Sequence, residues 1–472
     1  MTAPLILGTN SIKDTGYNVA NSLRLDGSDA YLIRTLGQAG TSNKAFTFSC
    51  WIKRSKRNTD VPRLIHMGGD GASPTHYISV RFRDDQNGRL SFYTEANGGG
   101  FQLNTNRLFR DESAWYHIVV AVNSADSTES NRQRMYVNGV EETSFSSSTA
   151  MSLNFDLGFN DSGDKIYLFR KQQDSDHFPG YACEVAFLDG QQLAPTAFGE
   201  FDEDSPTIWK PKDFKDDVTF GTNGFYLEFK DSSALGDDTS GNGNDFTVAS
   251  IASTDQSTDT CTNNFATMNS IDNLAAGSAF SEGNLKIVTT SGNITYNTST
   301  IGFSSGKWYM ETKLAGSAGY TVGVVRGVST ANDSNNKLGE RADGFSYDDG
   351  GEVKNNGSTL SGSFDSYSSG DIIGVYADLD NNKLYFSKNG TLQNSGTGLT
   401  LTAGTYFFAV GDNNASNSST YEVNFGGTNT YSVSSGNTDG TYGNFEYSTT
   451  ITGDGASKTF KALNTKNLAE FG

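Results

Sequence analysis

Residues Gly370–Gly390 read GDIIGVYADLDNNKLYFSKNG, and this pattern indicates the fold class. Ile372–Leu379 is rich in β-branched and aromatic residues, as strands are. Asp380–Asn382 can adopt the positive φ angles of a tight turn, and Lys383–Lys388 then runs back. The Asn389-Gly390 pair is a strong reversal signal, because both residues tolerate the backbone of a type I′ turn. The stretch therefore predicts an antiparallel hairpin followed by a second reversal.

A less regular version of this pattern lies in the first half of the chain. Trp115–Val122 is a predicted strand, a polar loop follows, and Gln133–Val137 is the predicted return strand before Asn138-Gly139. Two such hairpins in two β-patterned halves predict an all-β protein. We expect two antiparallel β-sandwich (jelly-roll) domains joined by a polar linker.

The composition fits short strands joined by polar turns and excludes several functional classes. The 472 residues include 53 glycines and 7 prolines, with 35% hydrophobic residues, which suits two or three domains. The net charge of −19 would repel phosphates over most of the surface, so nucleic-acid binding is not expected. No apolar run approaches the roughly 18 residues of a membrane helix, so membrane insertion is not expected either. The N-terminal residues lack the pattern of a signal peptide.

Changes in composition along the chain predict five segments. They are an N-terminal arm (1–20), a first sandwich (21–210), a linker with an extra strand-turn unit (211–275), a second sandwich (276–430) and a Gly/Ser/Thr-rich tail (431–472). The arm carries Leu5, Ile6 and Leu7, which could add an edge strand to a neighbouring subunit.

The cysteines are predicted to be structural. In Ala45–Lys53, Phe46, Phe48, Cys50 and Ile52 alternate onto one face of a strand. Cys183 is assigned to the same apolar face of its own strand, and Cys261 to the polar linker without a partner. The three cysteines show no paired spacing that would indicate a disulfide framework or a zinc site.

Six strand-like segments follow one another within residues 20–205: SLRLDGSDAYL, AFTFSCWIKR, LSFY, WYHIVVAV, MYVNGVEE and GYACEVAFLDGQQLAPTAFGEF. In this order they resemble the consensus strands of laminin-G-like, concanavalin A-like jelly rolls. Residues 276–428 resemble a SPRY domain through GKWYMETKL, YTVGVV, DGFSYDDGGEVKNNG, the hairpin described above, YFFAVGD and VNFGG.

The combination of these two domains with the closing phrase FKALNTKNL resembles virion proteins of marine tailed phages. The resemblance implies a non-enzymatic structural protein, a tail fibre or outer-surface appendage assembled in the host cytoplasm. Its implied partners are other virion proteins, further copies of itself, and host-surface polysaccharide or lipopolysaccharide. The alternatives are a decoration protein that makes only protein contacts and, less favoured, a polysaccharide depolymerase.

Glycan binding is predicted at loops that cluster at the ends of the sheets. In the second sandwich these loops carry Tyr347, Asp348, Asp349, Asn355 and Asn356. An aromatic ring can stack on a sugar face while carboxylates and amides bind hydroxyl groups. The alternative is that this stretch belongs to the fold signature alone.

Calcium is the one cofactor that the sequence raises. Asp231, Asp237, Asp238 and Asp245 supply the oxygen ligands that a hard cation prefers, but without the spacing of an EF-hand. A loop of Asx turns, in which the side chains cap the backbone, is the favoured interpretation.

Two charged clusters have a structural and a functional interpretation. Lys53, Arg54, Lys56 and Arg57 form a dense basic run, which we interpret as a solvated loop rather than a contact for phosphorylated lipopolysaccharide or an acidic subunit. Glu200–Asp204 has the alternating acids of some glucanases, but a solvated turn is favoured.

Overall fold

The computed structural model describes residues 16–57, 60–68, 76–96, 99–273, 277–292, 294–326, 337–416 and 418–472. The predicted docking residues Leu5, Ile6 and Leu7 lie outside this set. One compact unit covers Thr15–Thr262, and the other contains Asn263–Gly472. No described helix is long and apolar enough to span a bilayer.

Short strands build the first unit. They are β1 (Ser22–Asp26), β2 (Tyr31–Thr35), β3 (Ala45–Arg54), β4 (Arg63–Gly68), β5 (Tyr77–Arg83), β6 (Arg89–Ala96), β7 (Gly99–Leu108), β8 (Trp115–Asn123), β9 (Gln133–Val137), β10 (Val140–Glu141), β11 (Phe145–Ser148), β12 (Lys165–Leu168), β13 (Pro179–Asp189), β14 (Gly199–Phe201), β15 (Trp209–Pro211), β16 (Phe225–Leu227), β17 (Thr247–Ala249) and β18 (Gln256–Ser257). Single 3₁₀ turns lie at Asp84–Gln86, Glu129–Asn131, Pro195–Ala197 and Ser253–Asp255.

These strands form two antiparallel sheets around one core, as expected for a sandwich. Sheet A has the order β10-β9-β8-β3-β13-β1-β18, with β16 also paired to β13. Sheet B has the order β11-β7-β6-β5-β4-β12-β2-β17, and β14 and β15 form a separate pair. The fully buried core contains side chains from both sheets, among them Leu32, Phe46, Ile78, Phe92, Val120 and Phe187.

The alternation predicted for β3 is confirmed, but the faces assigned on β13 are partly wrong. The register between β13 and β3 shifts between Cys183 and Ala186, and Glu184 has a φ of 51°. This is a β-bulge, which inserts one residue and so exchanges the two faces. As a result Val185 faces the core with Cys50, whereas Cys183 lies on the outer face of sheet A.

The predicted linker is wrong up to residue 262, because this segment belongs to the first sandwich. β16 pairs with β13, β17 pairs with β2, and β18 pairs with β1. Phe225, Leu227 and Phe246 are buried in the core of the first unit. The segment reads as a linker because its few apolar anchors are separated by long polar turns that satisfy their own backbone groups.

The second unit is a sandwich of similar design. Its elements are β19 (Met268–Asn273), β20 (Ala279–Ser281), β21 (Lys286–Val288), β22 (Tyr296–Ser299), β23 (Lys307–Gly316), β24 (Tyr320–Arg326), β25 (Gly344–Asp348), β26 (Val353–Asn355), β27 (Ser358–Thr359), β28 (Ile372–Asp378), β29 (Lys383–Lys388), β30 (Thr391–Leu392), β31 (Leu399–Thr400), β32 (Tyr406–Asp412), β33 (Ser419–Asn424), β34 (Thr450–Gly453), β35 (Ala456–Thr459), β36 (Lys461–Ala462) and helix α1 (Thr465–Phe471).

Two further sheets pack face to face in this unit. Sheet C has the order β19-β22-β32-β24-β25-β26-β27, and sheet D has the order β20-β21-β33-β23-β28-β29-β30. β31 pairs with β29, and β36 pairs in parallel with β23. β28 and β29 form the predicted hairpin, and Asn389 and Gly390 have the predicted positive φ angles of 47° and 78°. The all-β, two-sandwich prediction is confirmed.

The predicted tail is a folded part of the second sandwich rather than an extension. Phe445 and Phe460 are buried against Tyr309, Tyr376 and Tyr385. Helix α1 begins at a capped end, because the Asn464 side chain accepts the backbone N–H of Asn467 at 2.8 Å. Gly, Ser and Thr dominate the segment because it is built from tight turns. This composition hides the buried residues Phe445 and Phe460 from an analysis of the sequence alone.

Candidate functional site

An open polar groove of about 590 Å³ lies in the first unit on the outer face of sheet B. Its lining combines guanidinium, amide and hydroxyl groups: Arg83, Gln86, Asn87, Arg89, Gln102, Asn104, Ser146 and Ser147. Side chains of a strand alternate between faces. Ile78, Val80 and Phe82 of β5 enter the core, so the arginines of that strand point away from it.

The strand register brings the polar groups into rows across four strands. Ser91 of β6 lies opposite Asn104 of β7, which in turn lies opposite Ser147 of β11. The Gln102 amide donates to the Ser147 hydroxyl at 2.8 Å, and the Asn104 amide donates to Gln102 at 3.3 Å. These contacts hold the amides in place along the sheet.

Half-buried aromatic rings border these rows. The ring centroids of Tyr77 and Tyr93 are 5.6 Å apart, and those of Tyr77 and His66 are 5.0 Å apart. The Arg81 guanidinium lies over the Tyr93 ring at 4.8 Å from its centroid. A ring face with polar groups beside it matches the apolar face and the hydroxyl rim of a sugar.

The arginines give this face a positive character on an otherwise acidic protein. Arg83 forms an ion pair with Asp85 at 2.8 Å, but neither Arg81 nor Arg89 has an ion-pair carboxylate among the described residues. Burial, and then the neighbouring Arg83 guanidinium, lower the pKa of Arg81. Arginine stays protonated in proteins, so Arg81 and Arg89 are cations. The Arg89 guanidinium also donates to the Thr105 carbonyl at 2.7 Å, and that of Arg81 to the Ser91 hydroxyl at 3.4 Å.

The predicted glycan platform at Tyr347 is wrong. The Tyr347 side chain is fully buried, and its ring packs against Phe364, Tyr367 and Phe386. Its hydroxyl donates a hydrogen bond to the carbonyl of Asp365. A ring with no exposed face cannot stack on a sugar, so the fold-signature interpretation applies to Tyr347.

The four polar residues predicted to join Tyr347 shape the turns around it. Asp348 is buried and accepts backbone N–H groups of its own turn. Asp349 accepts the Asn413 amide at 2.9 Å. The Asn355 amide donates to backbone carbonyl groups, and Asn356 takes a positive φ of 51° in the β26–β27 turn. Their polar atoms serve the backbone here, and a role in glycan binding remains a prediction.

The predicted calcium ligands form capped turns. Asp238 accepts the backbone N–H groups of Tyr226, Ser240 and Asn244. Asp231 accepts the N–H and hydroxyl of Ser233, Asp245 accepts the N–H of Asp238, and Asp237 is exposed. Across the described ranges, no group of three or more His, Cys, Asp or Glu side chains is placed to hold a metal ion. The Asx-turn interpretation therefore accounts for Asp231, Asp238 and Asp245, whose carboxylates cap backbone N–H groups.

The solvated-loop interpretation of the basic run is wrong for its first two residues. Lys53 is 1% exposed and pairs with Asp259 at 2.7 Å, and Arg54 is fully buried beside Asp84 at 2.6 Å. Lys56 is half-buried and Arg57 is exposed. The two buried cations lie on β3, where carboxylates from distant segments meet them, a feature that sequence spacing does not reveal.

The acidic run at Glu200 begins in the short strand β14 and continues as a turn from Asp202. β14 ends at Phe201, and the Asp202 carboxylate accepts the backbone N–H groups of Asp204 and Ser205. The Lys210 ammonium lies 3.6 Å from Glu200 and 3.2 Å from Asp202. The three carboxylates therefore do not form the one-faced strand that a glucanase motif requires.

Sequence reasoning missed both the groove and a buried acid on the outer face of sheet A. Glu184 is 4% exposed and accepts hydrogen bonds from the hydroxyls of Tyr226 and Tyr17. Burial raises the pKa of Glu184 to about 7, while the Tyr226 hydrogen bond opposes the shift and the nearby Glu228 carboxylate adds to it.

This raised pKa predicts how the stability of the first unit depends on pH. The unfolded carboxyl ionises near pH 4.5 and the folded one near pH 7, so between these values the folded state holds the extra proton. The free energy of unfolding should therefore fall by about 3 kcal/mol as pH rises through this window. Glu184→Gln should flatten the fall when unfolding is followed by denaturant titration at each pH.

A matched control lies in the second unit. Burial raises the pKa of Asp412 to about 7 as well, so Asp412→Asn should flatten only the transition of that unit. An unchanged pH profile of the first transition in Glu184→Gln would contradict the assignment to Glu184.

Two protein families match the chain, each over one sandwich. The concanavalin A-like lectin/glucanases superfamily matches residues 26–194, and the SPRY domain matches residues 307–428. No curated protein sequence matches the chain.

Solved structures similar to the chain include proteins of both kinds. The SPRY domain of human HERC1 is 17% identical, covers 35% of this chain and 99% of its own, and has a TM-score of 0.28. A heptameric SAP-like pentraxin from Limulus polyphemus is 14% identical over 38% of this chain and 80% of its own, with a TM-score of 0.28. Domains LG4-5 of the mouse laminin alpha1 chain are 12% identical over 85% of this chain and 83% of their own, with a TM-score of 0.29. The chain therefore contains a segment similar to the concanavalin A-like lectin/glucanases superfamily, followed by a segment similar to the SPRY domain.

Proposed function

We propose that this protein is a non-enzymatic, saccharide-binding component of the outer surface of a tailed-phage virion. Its ligand is host-surface polysaccharide or lipopolysaccharide, bound in the polar groove on sheet B. The observation that carries the saccharide proposal is the row of fixed amides between arginines and half-buried tyrosines on one open sheet face. The virion proposal is supported by the resemblance of the closing FKALNTKNL phrase and the domain pair to phage structural proteins.

The shape and chemistry of the groove favour an extended ligand with anionic groups. The groove is open and runs across neighbouring strands, so a polymer can pass through it without threading an end. Arg81 and Arg89 can meet phosphate or carboxylate groups, which arginine binds with two parallel hydrogen bonds. Copies repeated on a particle would raise the avidity of a weak single site.

Carboxylates near a second pocket give little support to the depolymerase alternative. This pocket, of about 320 Å³, is lined in part by Glu141 and Glu142 at the edge of the first sandwich. The Arg107 guanidinium lies 2.7 Å from Glu142, and that of Arg134 lies 3.7 Å from Glu141. A glycosidase needs one protonated and one free carboxyl flanking the substrate, whereas Glu141 and Glu142 each have a cationic partner and the third carboxyl of the pocket, Glu129, is exposed.

Binding of the full chain to a glycan array of bacterial surface saccharides tests the saccharide proposal. Arg89→Ala and Gln102→Ala should each weaken binding about ten-fold, because each removes a hydrogen-bonding group from the groove. Arg326→Ala, a half-buried arginine of the second unit, is the matched control and should bind as the wild type does. If all three variants bound the saccharide as the wild type does, the ligand would have to bind outside the groove on sheet B.

Purified particles and an activity assay separate the alternatives. We expect the protein in the particles and no release of reducing sugar from the bound polysaccharide. Presence in particles without any glycan binding would favour the decoration protein, and sugar release would favour the depolymerase. Absence from particles would contradict the virion proposal.

A further inference from the structure

Two cysteines far apart in sequence meet on the outer face of sheet A. The sulfur atoms of Cys183 and Cys261, which are 78 residues apart, lie 3.7 Å from each other. Both are free thiols in the structure, as is Cys50. A disulfide has a sulfur–sulfur distance of about 2.05 Å, so the two atoms need to approach by roughly 1.7 Å.

The surroundings hold both backbones in place. Cys183 lies on β13 opposite Trp51 of β3, inside a sheet that is paired on both sides. Cys261 follows Asp259, which binds the Lys53 ammonium at 2.7 Å and the Trp115 indole N–H at 3.1 Å. The thiol pair is thus brought together by fixed elements and not by a loose loop.

Cys50 offers a comparison within the same sheet. It is fully buried on the core face of β3, whereas Cys183 packs on the opposite face with Trp51 and Trp209. The β-bulge at Glu184 places Cys183 on that outer face. A disulfide between Cys50 and Cys183 would have to cross the sheet, which leaves Cys261 as the partner of Cys183.

We propose that Cys183 and Cys261 form an oxidative modification site that closes to a disulfide when the protein meets a low-molecular-weight disulfide. The thiolate of one cysteine attacks the reagent and forms a mixed disulfide, releasing one reagent thiol. The second cysteine then attacks the mixed disulfide, the bond between Cys183 and Cys261 forms, and the second reagent thiol leaves. The protein loses two protons and two electrons, and the reagent gains them.

The bond would fasten the last segment of the first sandwich to its central strand. The cross-link closes a 78-residue loop that includes β16, β17 and β18. Cross-linking of a long loop lowers the entropy of the unfolded chain and so stabilises the fold. Burial raises the pKa of the Cys261 thiol, so the reaction of the folded protein should be slow at neutral pH and faster at alkaline pH.

Oxidation of the full chain tests this site. The protein is refolded from denaturant in a mixture of oxidised and reduced glutathione, so that access does not limit the reaction, and is then alkylated and digested without reductant. We expect a cross-linked peptide pair containing Cys183 and Cys261, and an alkylated Cys50. The oxidised protein should melt about 5–10 °C above the reduced one in its first transition.

Two alanine variants distinguish the effect of a disulfide between Cys183 and Cys261 from a general effect of oxidation. Cys261→Ala should lose both the cross-link and the rise in Tm, whereas Cys50→Ala should keep both. Three alkylated thiols after refolding, a lasting mixed disulfide with glutathione, or a cross-link to Cys50 would each overturn the proposal.

Discussion

A chain that stops at Thr430 should fail to form the second sandwich. The missing residues bury four large apolar side chains, Phe445, Phe460, Leu463 and Leu468. Burial of side chains of this size contributes about 1.5–3 kcal/mol each, or roughly 6–12 kcal/mol together. That sum is comparable with the whole stability of an ordinary domain, about 5–15 kcal/mol. The truncated unit should therefore be unfolded at ordinary temperatures.

Polar contacts add to this expectation. Glu311 on β23 is fully buried, and its carboxylate accepts the Tyr431 hydroxyl at 2.9 Å and the backbone N–H of Glu446 at 2.7 Å. The Asp439 carboxylate accepts the N–H groups of Gly443 at 2.9 Å and Ala462 at 2.8 Å. Truncation removes these two donors to Glu311, leaving the Tyr309 hydroxyl and the Asn424 amide, and it removes the whole turn around Asp439.

Thermal unfolding followed by circular dichroism measures the effect. The intact chain should show transitions for both units, and the truncated chain should keep only that of the first unit. Tyr442→Ala is the control within the removed segment, because this side chain is 41% exposed and its loss should change the second transition little. A truncated chain that keeps both cooperative transitions would show that residues 431–472 are dispensable for folding.

Asp259→Ala should destabilise the first unit by about 3–5 kcal/mol, because it leaves the Lys53 ammonium buried without its counter-charge. Lys53 and Asp259 are 1% and 2% exposed. Burial lowers the pKa of Lys53, and Asp259 is the main group that opposes this shift, with a smaller contribution from Asp111. Without the carboxylate, Lys53 must lose its proton or draw water into the sheet face.

A double variant separates the charge effect from lost packing. Lys53→Met combined with Asp259→Asn removes both charges and keeps an acceptor for the Trp115 indole, so it should recover most of the loss in denaturant titrations. Asp85→Ala breaks an exposed ion pair with Arg83 and should cost less than about 1 kcal/mol. If Asp259→Ala cost no more than Asp85→Ala, the segment that carries Asp259 would not be part of the first sandwich.

Local patterns in the sequence predict much of the fold, because they depend on neighbouring residues. The alternation on β3 and the Asn-Gly reversals at Asn138 and Asn389 follow from strand geometry and from the backbone freedom of asparagine and glycine. The β-bulge at Glu184 inverts one strand without any local signal. Long-range pairing of β16, β17 and β18 places a polar segment in the first sandwich, which composition alone assigns to a linker.

The candidate site was predictable in its chemistry but not in its position. A loop with Tyr347 beside acids resembles a sugar platform, yet packing of neighbouring aromatic rings buries it. The groove residues Arg89, Gln102 and Asn104 occupy alternate positions opposite the core residues of their strands. That alternation is visible in the sequence, but only the register shows that the polar faces of β5, β6 and β7 adjoin.

Hydrogen exchange of the full chain with and without the tightest-binding saccharide of the array tests the central claim directly. A ligand that lies across the outer face of sheet B should slow amide exchange in β6, β7 and β11 and in the Asp84–Gln86 turn that borders the groove. The turns at Asp348 and Asn356 should exchange as in the free protein. Protection confined to those turns, or absent from sheet B at saturating saccharide, would contradict the account.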